Sequence, residues 1–523
     1  MSPVGNQKKN GDNDNNNNTI GPVVIIGAGW AGLSAAKDLL VNQGIQAKIL
    51  EGRPVMGGRC RTGVAEDGVT AIEYGPQWVH GVQAKNPIYQ AALDAGVEMA
   101  RSDYNSQIIL QDHVDKPTTE ASEERMKWME DYLMEGKGGF WAYQERRQDK
   151  DNKDCSLRQA AEDFLDKIDA TDEQRLWMWY LLDCNTAQEY AASLEDLSMF
   201  WWDSDEEMKG GDVYLTQDIH GGYKAVLEHF TKDFSQNIQY NSKVTAIDYS
   251  HQDRVVVTYT QDDGAVQTIT AKKVIVTVPL GVLQKNIIQF TPDLPHDKQR
   301  AITRMGNGVL NKCIFIWEDS DADNLPWPAD KEWIERMVTG KDPKQPQGLW
   351  TEFVNYQPIN GRPVLCGFTV GRIAEQVEEL SDQEIRDSAF DALKKMFCDT
   401  EIPEPKQVII TRWGDDEFTY GSYSFNAVGG NQSDHSRIAE GVNKKLYFAG
   451  EHCHLQYFGT CQGAYMSGTN AVKQLVRDAN KGGAKKGKKK NNNKNKKGLL
   501  QERLGGCCQG LVTYLRGAWR GCK

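Results

Sequence analysis

The run Gly27-Ala28-Gly29-Trp30-Ala31-Gly32 puts three glycines where an apolar strand hands over to a helix, and Glu51 follows 19 residues after Gly32. These are the parts of a dinucleotide site. Gly27 makes the tight turn, Gly29 lets backbone approach a pyrophosphate, and Gly32 lets helix and strand pack closely. The helix N-terminus directs partial positive charge at the phosphates. Glu51 is placed to accept hydrogen bonds from a ribose. Gly57-Gly58-Arg59 follows, a glycine pair and a guanidinium that add a second phosphate contact through Arg59. An ordinary glycine-rich turn accounts for the first glycines but not for the acid and the arginine beyond them. The second phosphate contact turns the reading from a nicotinamide to a flavin dinucleotide.

Such a site needs a βαβ unit, and the flanking pattern supplies one. Val23 to Ile26 reads as a short buried strand, Ala31 to Leu40 as a helix with Leu33, Ala36, Leu39 and Leu40 on one face, and Ala47 to Glu51 as a second strand. Residues 85–200 are helical in pattern and rich in Trp and Met, an inserted lobe in which Lys137 to Asp154 reads as a polar connector. Strands return at Lys243 to Tyr249, Arg254 to Thr260 and Lys272 to Val278, with a hairpin turn at Asp262-Asp263-Gly264. Asn311 to Trp317, Arg362 to Val370 and Lys445 to Ala449 are further strands. Asp382 to Phe397 and Gln462 to Ala479 are helices.

The chain has 523 residues and a formal charge of −12, which hides a split. Residues 480–523 hold 13 bases and one acid, a net of +12; the rest holds 48 bases and 72 acids, a net of −24. An acidic body argues against nucleic acid as its partner and leaves room for a cationic small substrate. There is no run of 18 apolar residues, and Met1 to Thr19 reads as a disordered polar leader without a signal-peptide core. Eleven scattered cysteines without a CxxC pair read as reduced thiols, neither a disulfide framework nor a metal site.

Five separated blocks together resemble the flavin-dependent amine oxidase family, and within it the polyamine oxidases. They are the fingerprint through Arg59, Tyr74-Gly75-Pro76-Gln77-Trp78-Val79-His80-Gly81, Val276-Thr277-Val278-Pro279-Leu280-Gly281-Val282-Leu283, Arg412-Trp413 with Tyr420-Gly421-Ser422-Tyr423-Ser424, and Leu446 to His452 with Gly463 to Gly468. The resemblance covers roughly residues 20–478. It implies an α/β fold: a discontinuous, Rossmann-like FAD-binding domain (GR2-type) with an inserted α+β substrate-binding domain. The expected division is 20–84, 205–292 and 406–479 for FAD, and 85–204 and 293–405 for substrate. A basic linker (480–498) and a Cys-containing tail (499–523) follow.

The same resemblance assigns site residues. Lys312 matches the family lysine that holds a water against flavin N5, and the apolar run Cys313 to Trp317 after it favours a semi-buried place over a surface strand end. His80 stands where the family has His or Glu near the flavin. It is read first as a substrate-site residue and second as a neutral base, against a purely structural histidine. Gly27, Gly29, Gly32, Glu51, Gly58, Arg59, Val244, Trp413, Glu451 and Thr460 are the expected cofactor-binding set. Val244 is to meet adenine through its backbone, Glu451 the ribityl or phosphate region, and Trp413 the isoalloxazine. Thr460 stands where some members carry an aromatic residue. Tyr423 is the expected substrate wall. For Trp413 and Tyr423 core packing and a turn remain the alternatives. Glu189 and Asn185 fall where some members have an acidic pocket residue. No cysteine occurs from Tyr420 to Phe425, so FAD is expected to be noncovalent.

The implied activity is oxidation of a secondary amine of spermine or spermidine: hydride to flavin N5, imine hydrolysis, and reoxidation by O2 to give H2O2. Another amine (a monoamine, an amino acid or methyl-lysine) and a non-catalytic flavoprotein scaffold are the alternatives. No long inserted helical hairpin or added N-terminal domain is readable, which points away from the histone demethylase branch. A cytoplasmic location is expected. Lys485 to Lys497 with Cys507 and Cys508 leaves open a contact of residues 480–523 with an anionic membrane, a nuclear signal, or a solvated tail.

Overall fold

Strand β1 (Val23–Ile26) is buried along its whole length. Val23 and Ile25 enter one core with Leu33, Ala36, Tyr447 and Leu475. Val24 and Ile26 enter another with Leu50, Ile247 and Val257. A strand covered on both faces carries no polar alternation, which is why Val-Val-Ile-Ile sits at the centre of a parallel sheet. These features belong to a computed structural model that describes residues 20–111, 120–135, 138–150, 153–215, 221–338, 346–398 and 400–483. The leader, the tail and nearly all of the basic linker lie outside the described residues.

Helix α1 (Trp30–Gln43) follows β1 and leads to β2 (Lys48–Leu50). The five-stranded sheet is parallel, in the order Leu446–Phe448, Lys273–Val276, β1, β2, Ile238–Gln239. α1 and the last helix, Cys461–Gly483, cover one face. The other face packs on the antiparallel strands Lys243–Asp248, Val255–Thr260 and Val266–Ala271. The hairpin around Asp262-Asp263-Gly264 is present, closing on the pair Thr260 and Val266.

A six-stranded sheet holds Leu310–Ile316 between Gln407–Ile410 and Val364–Val370. Here alternation decides the chemistry. Cys313, Phe315 and Trp317 pack against Phe390 and Leu393 of the helix Asp382–Met396. Ile314 and Ile316 face the opposite way, toward Ile72 and Tyr214. Lys312 shares their parity and so points at the segment that follows the dinucleotide motif. A three-stranded sheet of Trp78–His80, Asp212–Leu215 and Met99–Arg101 abuts this face. Trp78 stacks on Trp333 of the larger sheet, with ring centroids 5.6 Å apart.

The inserted lobe is helical over Glu120–Leu133, Phe140–Lys150, Leu157–Lys167 and Asp172–Leu182. It also contains the strands Met99–Arg101 and Gln107–Gln111, which the helical pattern did not suggest. The expected connector at 137–154 is largely a helix. Phe140 is fully buried against Phe164, Gln144 donates to the Met199 carbonyl at 2.8 Å, and Arg147 pairs with Asp163 at 2.7 Å. Polar residues with partners of this kind hold a helix that a hydrophobic pattern misses. The last helix runs to Gly483, four residues past its expected end. No helix among the described residues is long and apolar enough to cross a membrane.

Candidate functional site

The dinucleotide end is built by backbone. Gly27 sits at φ +102°, and a Cβ on Gly32 would lie 2.0 Å from the Gly27 carbonyl oxygen, so only glycine lets α1 start there. A Cβ on Gly29 would meet nothing nearer than the Gly57 carbonyl at 3.9 Å, and Gly58 faces the Gly29 Cα. The two glycines therefore border an open cradle. Glu51 is buried; its carboxylate accepts the Ala28 N–H at 2.7 Å and the Arg53 N–H at 2.9 Å. Burial raises its pKa and those donors work against the rise. Each oxygen keeps a lone pair for a ribose. Val244 follows close by: Ser242 N–H donates to the Glu51 carbonyl at 2.7 Å, and a bulge at Thr245 shifts the register just after Val244.

Glu451 ties the middle of the site. Its carboxylate receives Arg59 Nη1 at 3.0 Å, Ser424 Oγ at 2.6 Å and Gly459 N–H at 2.8 Å. Burial would raise its pKa, but Arg59, His452 and these hydrogen bonds outweigh burial and hold it at about 2. The acid expected to touch the cofactor is thus occupied in positioning Arg59 and two backbone segments. Thr460 has a structural task of its own. Its hydroxyl donates to the Tyr457 carbonyl at 2.8 Å and accepts the Gly463 N–H at 3.0 Å, so it caps the last helix.

Lys312 is buried, and its ammonium donates to the Glu73 carbonyl at 2.9 Å, the Gly75 carbonyl at 2.7 Å and Gln77 Oε1 at 3.0 Å. All three protons are used, so burial lowers its pKa while the acceptors keep a cation tenable. A Cβ on Gly75 would strike the Arg59 carbonyl at 1.9 Å, which fixes this loop against the phosphate-binding one. Trp413 is buried at the same place, its Nε1 donating to the Tyr74 carbonyl at 3.1 Å. Gln77 is held by Lys312 and by the Tyr356 hydroxyl through its oxygen. Its Nε2 is buried with no partner among the described residues.

His80 and Asp212 are cross-strand neighbours, and Nδ1 lies 2.9 Å from the carboxylate. Asp212 also accepts the Tyr104 hydroxyl at 2.6 Å and the Gly81 N–H at 3.0 Å. The ring is about half exposed (48%); partial desolvation works to lower its pKa, but the Asp212 carboxylate outweighs this and lifts it to about 9. The ion pair with Asp212 thus favours the protonated ring over the neutral base expected from the sequence. Glu189, which acts on His80 electrostatically, is raised to about 7 by burial and neighbouring acids. Glu352 is raised well above the carboxylate range by burial and by Glu335 and Glu189. Glu335 lies at about 7, chiefly through burial. The Tyr423 hydroxyl donates to the carbonyls of Gln188 and Glu189 at 3.2 and 2.9 Å, so its ring remains as a wall beside these acids. Asp212, Gln77, Glu335 and Glu352 were not singled out in the sequence. Glu335 in the all-buried strand Trp333–Met337 was the available signal.

A nucleotide cradle, a buried lysine and a set of acids around His80 and Tyr423 thus lie together in this part of the fold. Residues 30–476 match the profile of flavin containing amine oxidoreductases, and the chain belongs to that family. It is 33% identical over 481 residues to a lysine-specific histone demethylase 1 homolog of Oryza sativa subsp. japonica, covering 88% of this chain but 52% of that protein. It is 31% identical over 465 residues to polyamine oxidase 4 of the same plant, covering 86% of this chain and 88% of that protein. The chain thus spans about half the length of the demethylase homologue. A redesigned putrescine oxidase shares the fold, with a TM-score of 0.64 at 19% identity over 87% of this chain and 99% of that one.

The cofactor is FAD, held noncovalently. The residues fit it: the cradle at Gly29 and Gly58 is open to backbone-approaching phosphates, Glu51 retains acceptors, and the open Gln77 Nε2 donor beside Lys312 suits the polar edge of a flavin.

Proposed function

We propose that this chain is a polyamine oxidase that oxidises a secondary amine of spermine or spermidine. The observation that carries this reading is the group of acids on the Tyr423 side of the site: exposed Glu189, whose carbonyl accepts the Tyr423 hydroxyl, half-buried Glu352, and Glu335, with Glu352 raised by burial and by the other two. Clustered acids whose charged forms are disfavoured are better stabilised by a polycation than by a monoamine, which brings a single charge. Bound FAD supplies the hydride acceptor and passes electrons to O2 to give H2O2.

The chain's own residues divide the rest. The Glu189–Glu352–Glu335 file holds the distal ammonium groups. The imidazolium of His80 disfavours a second positive charge beside it, so the reacting nitrogen binds there as the free base, and Tyr423 and Trp413 wall the site. Lys312 supplies a fixed positive charge for the oxygen half-reaction, and Gly27, Gly29, Gly32, Glu51, Gly58, Arg59 and Val244 hold the cofactor. The FAD-binding part takes in 20–84, 205–292 and 406–479, and the substrate part 85–204 and 293–405. A cytoplasmic site of action, with residues 480–523 meeting an anionic membrane, rests on composition.

Methyl-lysine is the second reading, favoured by the 33% identity to the demethylase homologue. Peroxide release and product analysis with spermine, spermidine, their acetylated forms and a methylated histone peptide separate the two. Polyamines turning over at least about a hundredfold faster, in kcat/KM, support the proposal. Preference for the peptide overturns it.

A further inference from the structure

Two thiols from opposite ends of the chain meet beside the cofactor cradle. Cys60 directly follows Gly57-Gly58-Arg59, and Cys461 opens the last helix after Gly459-Thr460. Their sulfurs are 3.5 Å apart, and both are free. Cys60 is 6% exposed, while Cys461 is more accessible. The pair is asymmetric. The contact with Cys60, with the Tyr223 hydroxyl, His80 and Arg59, lowers the Cys461 pKa against burial, which would raise it. Burial raises that of Cys60. One thiol is thus poised as nucleophile and the other as its partner. The two loops they anchor are already joined noncovalently, because Glu451 binds both Arg59 and the Gly459 N–H.

We propose that Cys60 and Cys461 form a reversible disulfide, made by a peroxide, that clamps the two loops bordering the cofactor. The Cys461 thiolate attacks one oxygen of H2O2: an S–O bond forms, the O–O bond breaks, and the departing hydroxide takes a proton to become water. The Cys60 sulfur then attacks the sulfenic sulfur. The S–S bond forms, the S–O bond breaks, and hydroxyl leaves with the Cys60 proton as a second water. Two thiols lose two electrons in all, and one peroxide becomes two waters. The sulfurs must close from 3.5 Å to about 2.05 Å, a movement within reach of side-chain rotation at Cys461, which is half-buried at the helix start. Turnover under the proposed function would supply peroxide at this very place, a source that rests on that reading; the disulfide itself does not, because added peroxide suffices to test it.

The test uses the reduced, FAD-loaded full chain, treated with increasing H2O2, alkylated, digested and weighed by mass spectrometry. The expected product is a Cys60–Cys461 linked peptide, two hydrogens lighter than its parts and restored by dithiothreitol. In C60S, Cys461 is expected to accumulate as a sulfenic acid trapped by dimedone. In C461S, Cys60 is expected to stay reduced. Flavin release into a chaotropic salt should slow about tenfold on oxidation of the wild type, and not at all in C60S. Full alkylation of both cysteines after peroxide would overturn the proposal. So would a linked peptide with unchanged flavin release, which would remove the clamp.

Discussion

Replacing Glu451 by Gln changes one buried oxygen into a donor and removes the charge that holds Arg59. In the wild type the carboxylate takes Arg59 on one oxygen and Ser424 Oγ and Gly459 N–H on the other. The amide can keep the second set, but it then presents N–H to the Arg59 guanidinium, donor against donor. The pKa of Glu451 falls from 4.5 to about 2 on folding, despite burial that acts in the opposite direction. That difference corresponds to roughly 3 kcal/mol, in line with the cost of breaking a buried ion pair. The expected loss on urea unfolding at pH 7 is therefore about 3 kcal/mol. Because the folded pKa is depressed, this stabilisation is present above the unfolded value of 4.5 and is lost as pH falls toward about 2. The wild type and the variant should converge over that window. A loss below about 0.5 kcal/mol at pH 7, or a difference that persists unchanged into acid, would refute the assignment of Glu451 as the charged tie between the two loops.

Lys312→Met leaves the Glu73 and Gly75 carbonyls and Gln77 Oε1 without their donor; stopped-flow measurement should show reoxidation by O2 slowed about a hundredfold while flavin bleaching by amine persists. Glu352→Gln removes the centre of the acidic file; KM for spermine should rise about tenfold with that for a monoamine nearly unchanged, and equal changes for both would count against the file as a polycation site. His80→Gln removes an imidazolium whose pKa is lifted to about 9. A positive neighbour lowers the pKa of a bound amine, so the rising limb of the kcat profile, which reports the bound complex, should move to higher pH by about half a unit to one unit. No movement would show that His80 does not face the reacting nitrogen.

The cofactor half of this site was legible because its signals are local. Gly27, Gly29, Gly32 and Glu51 act through one βαβ unit, and their spacing already specifies a turn, a close approach and a ribose acceptor. The burial of Lys312 was legible through the apolar run Cys313 to Trp317 after it, and its proposed role through family resemblance alone. The substrate half depends on long-range pairing. His80 meets Asp212 only because Trp78–His80 pairs with Asp212–Leu215, 132 residues away, and that contact is what raises the histidine's pKa. Glu335 and Glu352 reach Glu189 only through the sheet and the helical lobe. Thr460 carries a second signal the family position does not convey: a threonine three residues before Gly463 that caps the helix. The helix Phe140–Lys150 was missed because its polar residues are stabilised by particular partners, Met199 and Asp163, and not by an apolar stripe.

The most direct test of the account is anaerobic mixing of the flavin-loaded protein with spermine. Polyamine oxidation predicts full loss of the flavin absorbance near ~450 nm in a single turnover, its return on admitting O2, and one peroxide released for each amine oxidised. A flavin that stays oxidised with spermine and spermidine, yet bleaches with a methylated lysine peptide or with nothing, would contradict the central claim.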